Sequence, residues 1–277
     1  MELDQSILLA LFAMIGSVLG SMLGLGGGVF IIPLFTLLLG VEPHIAIGAS
    51  AVCVVTNSVV GSRRHLENRY VNLKLAMLLQ STTAAGAILG AFIALAIDAS
   101  YLKGALGLLL IYAAYSMVKG SKLVVPTMPQ DTPDPKGLMY DFQEGTDTIR
   151  YVPQRVGFGI STSGFAGVLS GMLGIGGGLI QVPVMNLIMK MPLRAAAGTS
   201  SFMVGMTSVA TATVFYANGK IDPQVTAPAM VGVLLGSSAG SALTKRVKLQ
   251  HLVGVFVVIM VSLSISMILS AFDVSLW

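Results

Sequence analysis

Long uncharged stretches alternate with short charged ones along this chain. No Asp, Glu, Lys or Arg occurs from Gln5 to Val41, Leu75 to Ile97, Val156 to Met189, Ala195 to Gly219 or Pro223 to Thr244. A helix that crosses a bilayer needs roughly 20 apolar residues, so several of these stretches are long enough to span. With their Gly, Pro and charged breaks, they predict ten helical segments: 6–23, 29–40, 45–61, 74–97 and 100–118, then 156–173, 179–190, 195–216, 223–244 and 250–271. Lys119 to Arg155 is the one long polar stretch, and its Pro126, Pro129, Pro133 and Pro135 disfavour a regular helix. It reads as a linker, with a short hairpin expected around Tyr140 to Tyr151.

The two sets of five segments repeat one another at an offset of 150 residues, without a gap. Met22-Leu23-Gly24-Leu25-Gly26-Gly27-Gly28 lies over Met172-Leu173-Gly174-Ile175-Gly176-Gly177-Gly178. Pro33 matches Pro183, Gly48 matches Gly198, Ser50 matches Ser200, Asn68 matches Asn218, Gly86 matches Gly236 and Gly90 matches Gly240. Chance likeness between apolar stretches gives scattered Leu and Val matches, not Gly and Pro held in one register. The expected architecture is therefore an all-α polytopic membrane protein of two five-segment repeats, 1–118 and 156–277, joined by a linker at 119–155.

Composition agrees: 55% of residues are hydrophobic and only 10% are charged, against about 25% charged in soluble domains. The net charge of +4 does not point to nucleic acid, because the cations lie in short loops between apolar runs. There they report membrane orientation, since Lys and Arg favour the cytoplasmic side. The loop from Ser62 to Lys74 carries Arg63, Arg64, Arg69 and Lys74 against Glu67, and the linker carries Lys119, Lys122, Lys136, Arg150 and Arg155. Lys245, Arg246 and Lys248 follow the ninth segment. Placing these inside puts the stretches around Val41 to His44, Asp98 to Lys103 and Asn218 to Asp222 outside. The two repeats are then inverted relative to one another, with both chain ends outside and the linker cytoplasmic. Met1-Glu2-Leu3-Asp4 lacks the basic start of a signal peptide, so the first segment is expected to be retained. The lone Cys53 sits in an apolar run and reads as a packing residue.

The Gly-x-Gly-Gly-Gly breaks carry the candidate chemistry. The segment from Val29 to Gly40 would be roughly 18 Å long at helical rise, short of the ~30 Å hydrocarbon core. Each break is thus expected inside the membrane, as the tip of a re-entrant hairpin. Unpaired backbone amides persist at that depth only against protein or a water-filled cavity. The amides of Gly26, Gly27 and Gly28, and of Gly176, Gly177 and Gly178, would sit at the starts of the short helices. Free donors and the helix dipole together favour an anion there. Pro33 and Pro183 would fall early in those helices, where a missing amide costs least. The alternative is that the glycines only let helices approach closely.

Small donors on the third segments could complete an anion shell: Ser50, Thr56, Asn57 and Ser58, and Thr199, Ser200, Ser201, Thr207 and Ser208. Asn57 is the most costly of these to bury. The alternative is that such side chains bond their own helix backbone. His44 and Arg194 occupy matching positions and could line the two entrances. No Asp, Glu, Lys or Arg falls centrally in a predicted span, which argues against a carboxylate proton relay. There is no metal-ligand cluster, acidic pair or Ser/His/Asp arrangement, so a membrane enzyme is disfavoured and no cofactor or metal is called for.

The doubled Gly-x-Gly-Gly-Gly-x4-Pro at Gly24–Pro33 and Gly174–Pro183, with Ala46-x-Gly48-x-Ser50 echoed as Ala196-x-Gly198-x-Ser200, resembles the sulfite exporter TauE/SafE family. That family is also called the toluene sulfonate uptake permease family. The likeness covers both halves outside the linker. It implies an anion carrier of the bacterial or archaeal cytoplasmic membrane, handling sulfite, sulfoacetate or other organosulfonates. The expectation is a secondary transporter working by alternating access in the export direction. An anion-selective channel and an uptake permease remain as alternatives. The implied partners are a small anionic substrate and the lipid bilayer; the oligomeric state, a homodimer included, stays open.

Overall fold

The computed structural model describes residues 3–23, 25–120, 137–144, 147–243 and 249–272. Gly24, most of the proline-rich linker, the basic residues Lys245, Arg246 and Lys248, and both chain ends lie outside the described residues. The elements are α1 (Leu3–Leu23), α2 (Gly28–Leu38), α3 (Pro43–Glu67), α4 (Leu73–Ala96), α5 (Ala99–Gly120), a hairpin of β1 (Tyr140–Glu144) and β2 (Asp147–Tyr151), then α6 (Val156–Leu173), α7 (Gly178–Ile188), α8 (Leu193–Ala217), α9 (Pro223–Leu243) and α10 (Leu249–Ala271). The segmentation follows the charge-free runs closely.

Two departures have physical causes. Helix α3 runs on to Glu67 rather than stopping at Gly61: its last turn stands exposed beyond the apolar run, where Arg63 Nε pairs with Glu67 Oε1 at 3.0 Å across one turn and adds a small stabilisation. Pro33 and Pro183, expected early in their helices, stand at the sixth position, and the chain winds as a π-helix over Leu34–Leu38 and Val184–Ile188. A proline withdraws an amide and crowds the preceding turn, and the wider turn takes up the mismatch. Val41 N consequently reaches Phe35 O and Met191 N reaches Met185 O, six residues back, at 3.0 and 2.9 Å.

Among the described residues, six helices are long and apolar enough to cross a membrane: α1, α3, α4, α5, α6 and α10. The polarity of α8 has a reason in its surroundings. Thr199, Ser200, Ser201, Thr207, Ser208 and Thr211 are all buried, so that helix meets protein rather than lipid.

Helix packing exchanges partners between the halves. α1 packs on α9 and α4 on α6, while α5 pairs with α10 and α3 with α8. Glycine makes the first two contacts possible. A Cβ on Gly86 would collide with Gly164 O, on Gly90 with Val168 O, on Gly167 with Thr83 O and on Gly171 with Ala87 O. On the other side, Gly232, Gly236 and Gly240 press in the same way on Ala10, Met14 and Val18. The matched pairs Gly86/Gly236 and Gly90/Gly240 are therefore small-residue contacts that let helix backbones meet.

Helices α3 and α8 run antiparallel. Tyr70, just past the end of α3, has its Cβ 2.9 Å from a Cβ built on Gly198, near the start of α8. Lys220, just past the end of α8, presses its carbonyl on Gly48, near the start of α3.

The hairpin expected at Tyr140 to Tyr151 is present and antiparallel, with Tyr140 opposite Tyr151. It docks against the α3–α4 loop: Phe142 is buried and meets the Tyr70 ring edge-on at 5.3 Å, and Asn72 Nδ2 donates to Leu138 O at 3.2 Å. Truncating a buried Phe to Ala typically costs about 3–5 kcal/mol. Phe142→Ala is therefore expected to loosen the docking, read as faster hydrogen exchange of the Tyr151 and Asn72 amides with the helical amides unchanged.

Candidate functional site

The two Gly-rich breaks meet in the interior, between α3 and α8. Gly26 and Gly27 have φ of +83° and +80°, and Gly176 and Gly177 have +81° and +82°. Two consecutive left-handed residues cost a side-chain-bearing residue roughly 1–2 kcal/mol each, so glycine is the residue that turns here at no cost. The turn folds the chain back from α1 into α2 and from α6 into α7. Gly27 O accepts from Phe30 N and Ile31 N at 3.0 and 3.2 Å, and Gly177 O accepts from Ile180 N and Gln181 N, both at 3.1 Å. Those bonds start the short helices. The amides just before them, Gly26–Gly28 and Gly176–Gly178, donate to no partner among the described residues.

Contacts join the tips. A Cβ on Gly28 would stand 3.0 Å from Gly174 O, and one on Gly26 would stand 3.6 Å from Ile175 O. Val54 of α3 and Val204 of α8 each touch both tips: the Val204 Cγ1 lies 2.7 Å from a Cβ on Gly26 and 2.5 Å from one on Gly176. Ser50 Oγ donates to Gly174 O at 3.0 Å and sits 2.7 Å from a Cβ on Gly28, so it touches both as well. The surrounding side chains are uncharged.

The other sequence-derived candidates separate into groups. Asn57 Oδ1 accepts from Ser17 Oγ at 2.8 Å, and its carbonyl accepts from Ser237 Oγ at 3.3 Å, so Asn57 ties α1, α3 and α9 together. Ser58 Oγ donates to Ser201 O at 2.6 Å and joins α3 to α8. Thr199 Oγ1 accepts from Asn72 N at 3.1 Å at the loop end of α8. Ser200 is fully buried, and its hydroxyl has no partner among the described residues. His44 stands at the end of α4: Nδ1 lies 3.1 Å from Glu42 Oε1, and Nε2 lies 3.2 and 3.1 Å from Ala94 O and Ile97 O. Glu42 in turn pairs with Lys220 at 3.4 Å across the repeats. Arg194 is exposed at the start of α8.

A water-sized pocket opens between α2, α3, α5 and α10. Ile32, Ile47, Leu173, Met267 and Lys103 line it. Ile47 O lies 2.6 Å from a Cβ on Gly174, so the pocket ends beside the second tip. Lys103 Nζ donates to Ser270 Oγ at 3.1 Å.

Ser170 and Gln181, which the sequence reading passed over, stand at the second tip with Ser208, which it marked. A Cβ on Gly177 would lie 3.6 Å from both Gln181 Nε2 and Ser170 Oγ, and one on Gly176 would lie 2.9 Å from Ser208 Oγ. Gln181 Nε2 donates to Thr83 Oγ1 at 3.3 Å. Nearby, Gln80 satisfies both ends of its amide by donating to Met203 O and accepting from Thr207, each at 3.2 Å. A signal for these was present: burying an unpaired amide is costly, and Gln80 and Gln181 are the only glutamines inside their uncharged runs. The reasoning that singled out Asn57 applies to both. Among the described residues, no group of three or more His, Cys, Asp or Glu could hold a metal ion.

Comparison with known proteins points one way. The family described as Sulfite exporter TauE/SafE matches residues 8–267. The probable membrane transporter protein YunE of Bacillus subtilis is 22% identical over 269 residues, covering 95% of this chain and 97% of that protein. A probable membrane transporter protein of Xylella fastidiosa is 29% identical over 258 residues, covering 92% of this chain and 91% of its own length. One from Methanocaldococcus jannaschii is 24% identical over 270 residues, with 91% and 92% covered. No solved structure matches.

Proposed function

The chain belongs to the sulfite exporter TauE/SafE family and is a membrane transporter, and from that premise we propose that its cargo is a small sulfur-containing oxyanion, sulfite or an organosulfonate, held where the two glycine tips meet. One observation carries this reading. Two left-handed glycine turns, from opposite halves of the chain, meet in the interior, where the amides of Gly26–Gly28 and Gly176–Gly178 have no partner among the described residues and the neighbouring side chains are uncharged. Such amides complement an oxyanion without burying a counter-charge, which would itself cost several kcal/mol to desolvate. Ser200, whose buried hydroxyl has no partner among the described residues, is a donor that fits the same role, while Ser50 spends its proton on Gly174 O and ties the two tips together. Asn57, Ser58, Thr199 and Ser201 would hold the helices that frame the site.

The repeats would insert with opposite orientation, so that the tips enter from the two faces of the bacterial or archaeal cytoplasmic membrane. The antiparallel run of α3 and α8 supports this, as does the reciprocal exchange of helix partners between halves. The linker and its docked hairpin would then be cytoplasmic and both chain ends outside. Lys103, at the pocket that ends beside the second tip, is a cation that an approaching anion would meet, with His44, Glu42 and Lys220 near the same helix ends.

Alternating access would come from movement of the halves around the fixed tips. Outward movement of a monoanion from a negative-inside cell is favoured by about 2.3 kcal/mol per 100 mV. Export can therefore proceed without a coupling ion, in keeping with the absence of a buried carboxylate from the uncharged spans. Proteoliposomes containing the purified protein test this. Saturable sulfite flux that accelerates when unlabelled sulfite is loaded on the far side is expected. Ohmic single-channel currents without counterflow would contradict a carrier and favour a channel.

A further inference from the structure

The second glycine tip holds more polar atoms than an anion needs, and one of them has the wrong sign for an anion. Among the described residues, Ser170 Oγ, Ser208 Oγ and Gln181 Oε1 are buried without a hydrogen-bond partner, with the three residues 0%, 1% and 1% exposed. All three residues adjoin the tip: Ser170 and the Gln181 amide flank Gly177, and Ser208 touches Gly176. The two hydroxyls can donate to an oxyanion. A carboxamide oxygen can only accept.

The orientation of that amide is set by its neighbour. Gln181 Nε2 donates to Thr83 Oγ1 at 3.3 Å, and the Thr83 hydroxyl spends its proton on Leu79 O at 2.8 Å. Turning the amide over would cost both bonds, since Thr83 would have to take its only proton from Leu79 O to reach Oε1. The arrangement that keeps both bonds leaves the nitrogen on Thr83 and the oxygen free.

The first tip has no counterpart. Gly20 and Ile31 stand where Ser170 and Gln181 stand, and Ser58, the match of Ser208, gives its proton to Ser201 O. The second repeat's side of the site thus carries unpartnered polar side-chain atoms that the matched positions of the first repeat lack.

We propose that Gln181 is a specificity-determining residue: the second tip takes an oxyanion that also carries an O–H or N–H donor, and Gln181 Oε1 accepts that hydrogen bond while the tip amides, Ser170 and Ser208 hold the anionic oxygens. This rests on the reading of the tips as the oxyanion site. Hydrogensulfite in its S–OH form and hydroxy- or aminosulfonates meet the requirement. A plain alkanesulfonate of the same length leaves the buried acceptor bare, a penalty worth about 10-fold to 100-fold in affinity.

The test is calorimetric binding to the purified full chain in nanodiscs, comparing 2-hydroxyethanesulfonate with ethanesulfonate, which differ by one hydroxyl. The unmodified protein is expected to bind the hydroxylated anion about 10-fold to 100-fold more tightly. Gln181→Met, close to isosteric, removes the acceptor and is expected to bring the ratio of the two affinities near one. Thr83→Val is a second variant that leaves the Gln181 site intact but frees the amide to turn. It is expected to lose the preference as well, with ethanesulfonate gaining affinity as Nε2 becomes available to it. Equal binding of the two sulfonates by the unmodified protein, or a preference that survives both substitutions, overturns the donor requirement alone. Failure of both sulfonates and of sulfite to bind overturns the oxyanion site, and this reading with it.

Discussion

Gly177→Leu is expected to reduce sulfite flux in proteoliposomes by more than about 100-fold while leaving a folded protein. The position separates chemistry from packing. A Cβ at Gly177 has its nearest neighbours at 3.4 Å or beyond, at Ser170 and Gln181, so the first carbon fits. The rest of a leucine would fill the space between those two residues and cover the tip amides. The left-handed φ of +82° adds a strain of roughly 1–2 kcal/mol, small against the stability of a ten-helix protein. A neighbouring glycine would be a poorer test. At Gly176 a Cβ would stand 2.5 Å from Val204 and 2.9 Å from Val54, so any side chain there forces the tips apart. Gly177→Ala, which fits the space but keeps the strain, is expected to show a partial loss. Flux at the unmodified rate in Gly177→Leu, with an unchanged thermal midpoint, would remove the tip amides from the mechanism.

The second large effect is all-or-none. Cysteines placed singly at Asn68 and Asn218, matched positions after α3 and α8, are expected to react from opposite sides of the membrane. Asn218→Cys should be modified by an impermeant thiol reagent in intact cells, and Asn68→Cys only after permeabilisation. The structural reason is the antiparallel run of α3 and α8, which sends the loops after them to opposite ends of the protein. The charge reason is that Arg63, Arg64, Arg69 and Lys74 crowd one of those loops, whereas Lys220 and Asp222 balance in the other. The native Cys53 is fully buried and should contribute little background. Labelling of both positions from the same side would reject the inverted arrangement.

Much of the fold was legible because lipid and glycine both leave strong marks. A charge-free run must be covered by apolar surroundings, and its ends fall where a charge, a Pro or a Gly appears, which is why α6 begins and ends at Val156 and Leu173 as expected. The duplication let each half check the other. Less legible were features that depend on what a residue meets across the fold. The reach of α3 to Glu67 is a water-exposed helical turn, invisible to a reading based on apolarity. The widened turns after Pro33 and Pro183 follow from where the helix starts, and the glycine turns set that start.

The candidate site divides in the same way. The left-handed glycines and Ser50 could be marked from spacing alone, since their roles are local or repeated. Asn57 was marked for the cost of burying it, and the structure shows its side-chain oxygen met by Ser17 on α1, while Ser237 on α9 bonds its backbone carbonyl. Gln181 was missed because the matched position in the first repeat is Ile31, so the duplication that exposed the tips gave no second copy to draw the eye. Its meaning lies in a chain of bonds through Thr83 to Leu79 that only three dimensions reveal.

The central claim, that the paired tips hold the transported oxyanion, is tested most directly by anomalous diffraction from crystals grown with selenite, the heavier congener of sulfite. The expected result is one selenium peak within hydrogen-bond reach of the Gly26–Gly28 and Gly176–Gly178 amides, absent from crystals of Gly177→Leu. A selenium peak elsewhere in the molecule, or none between the tips in a protein that transports selenite, would contradict it.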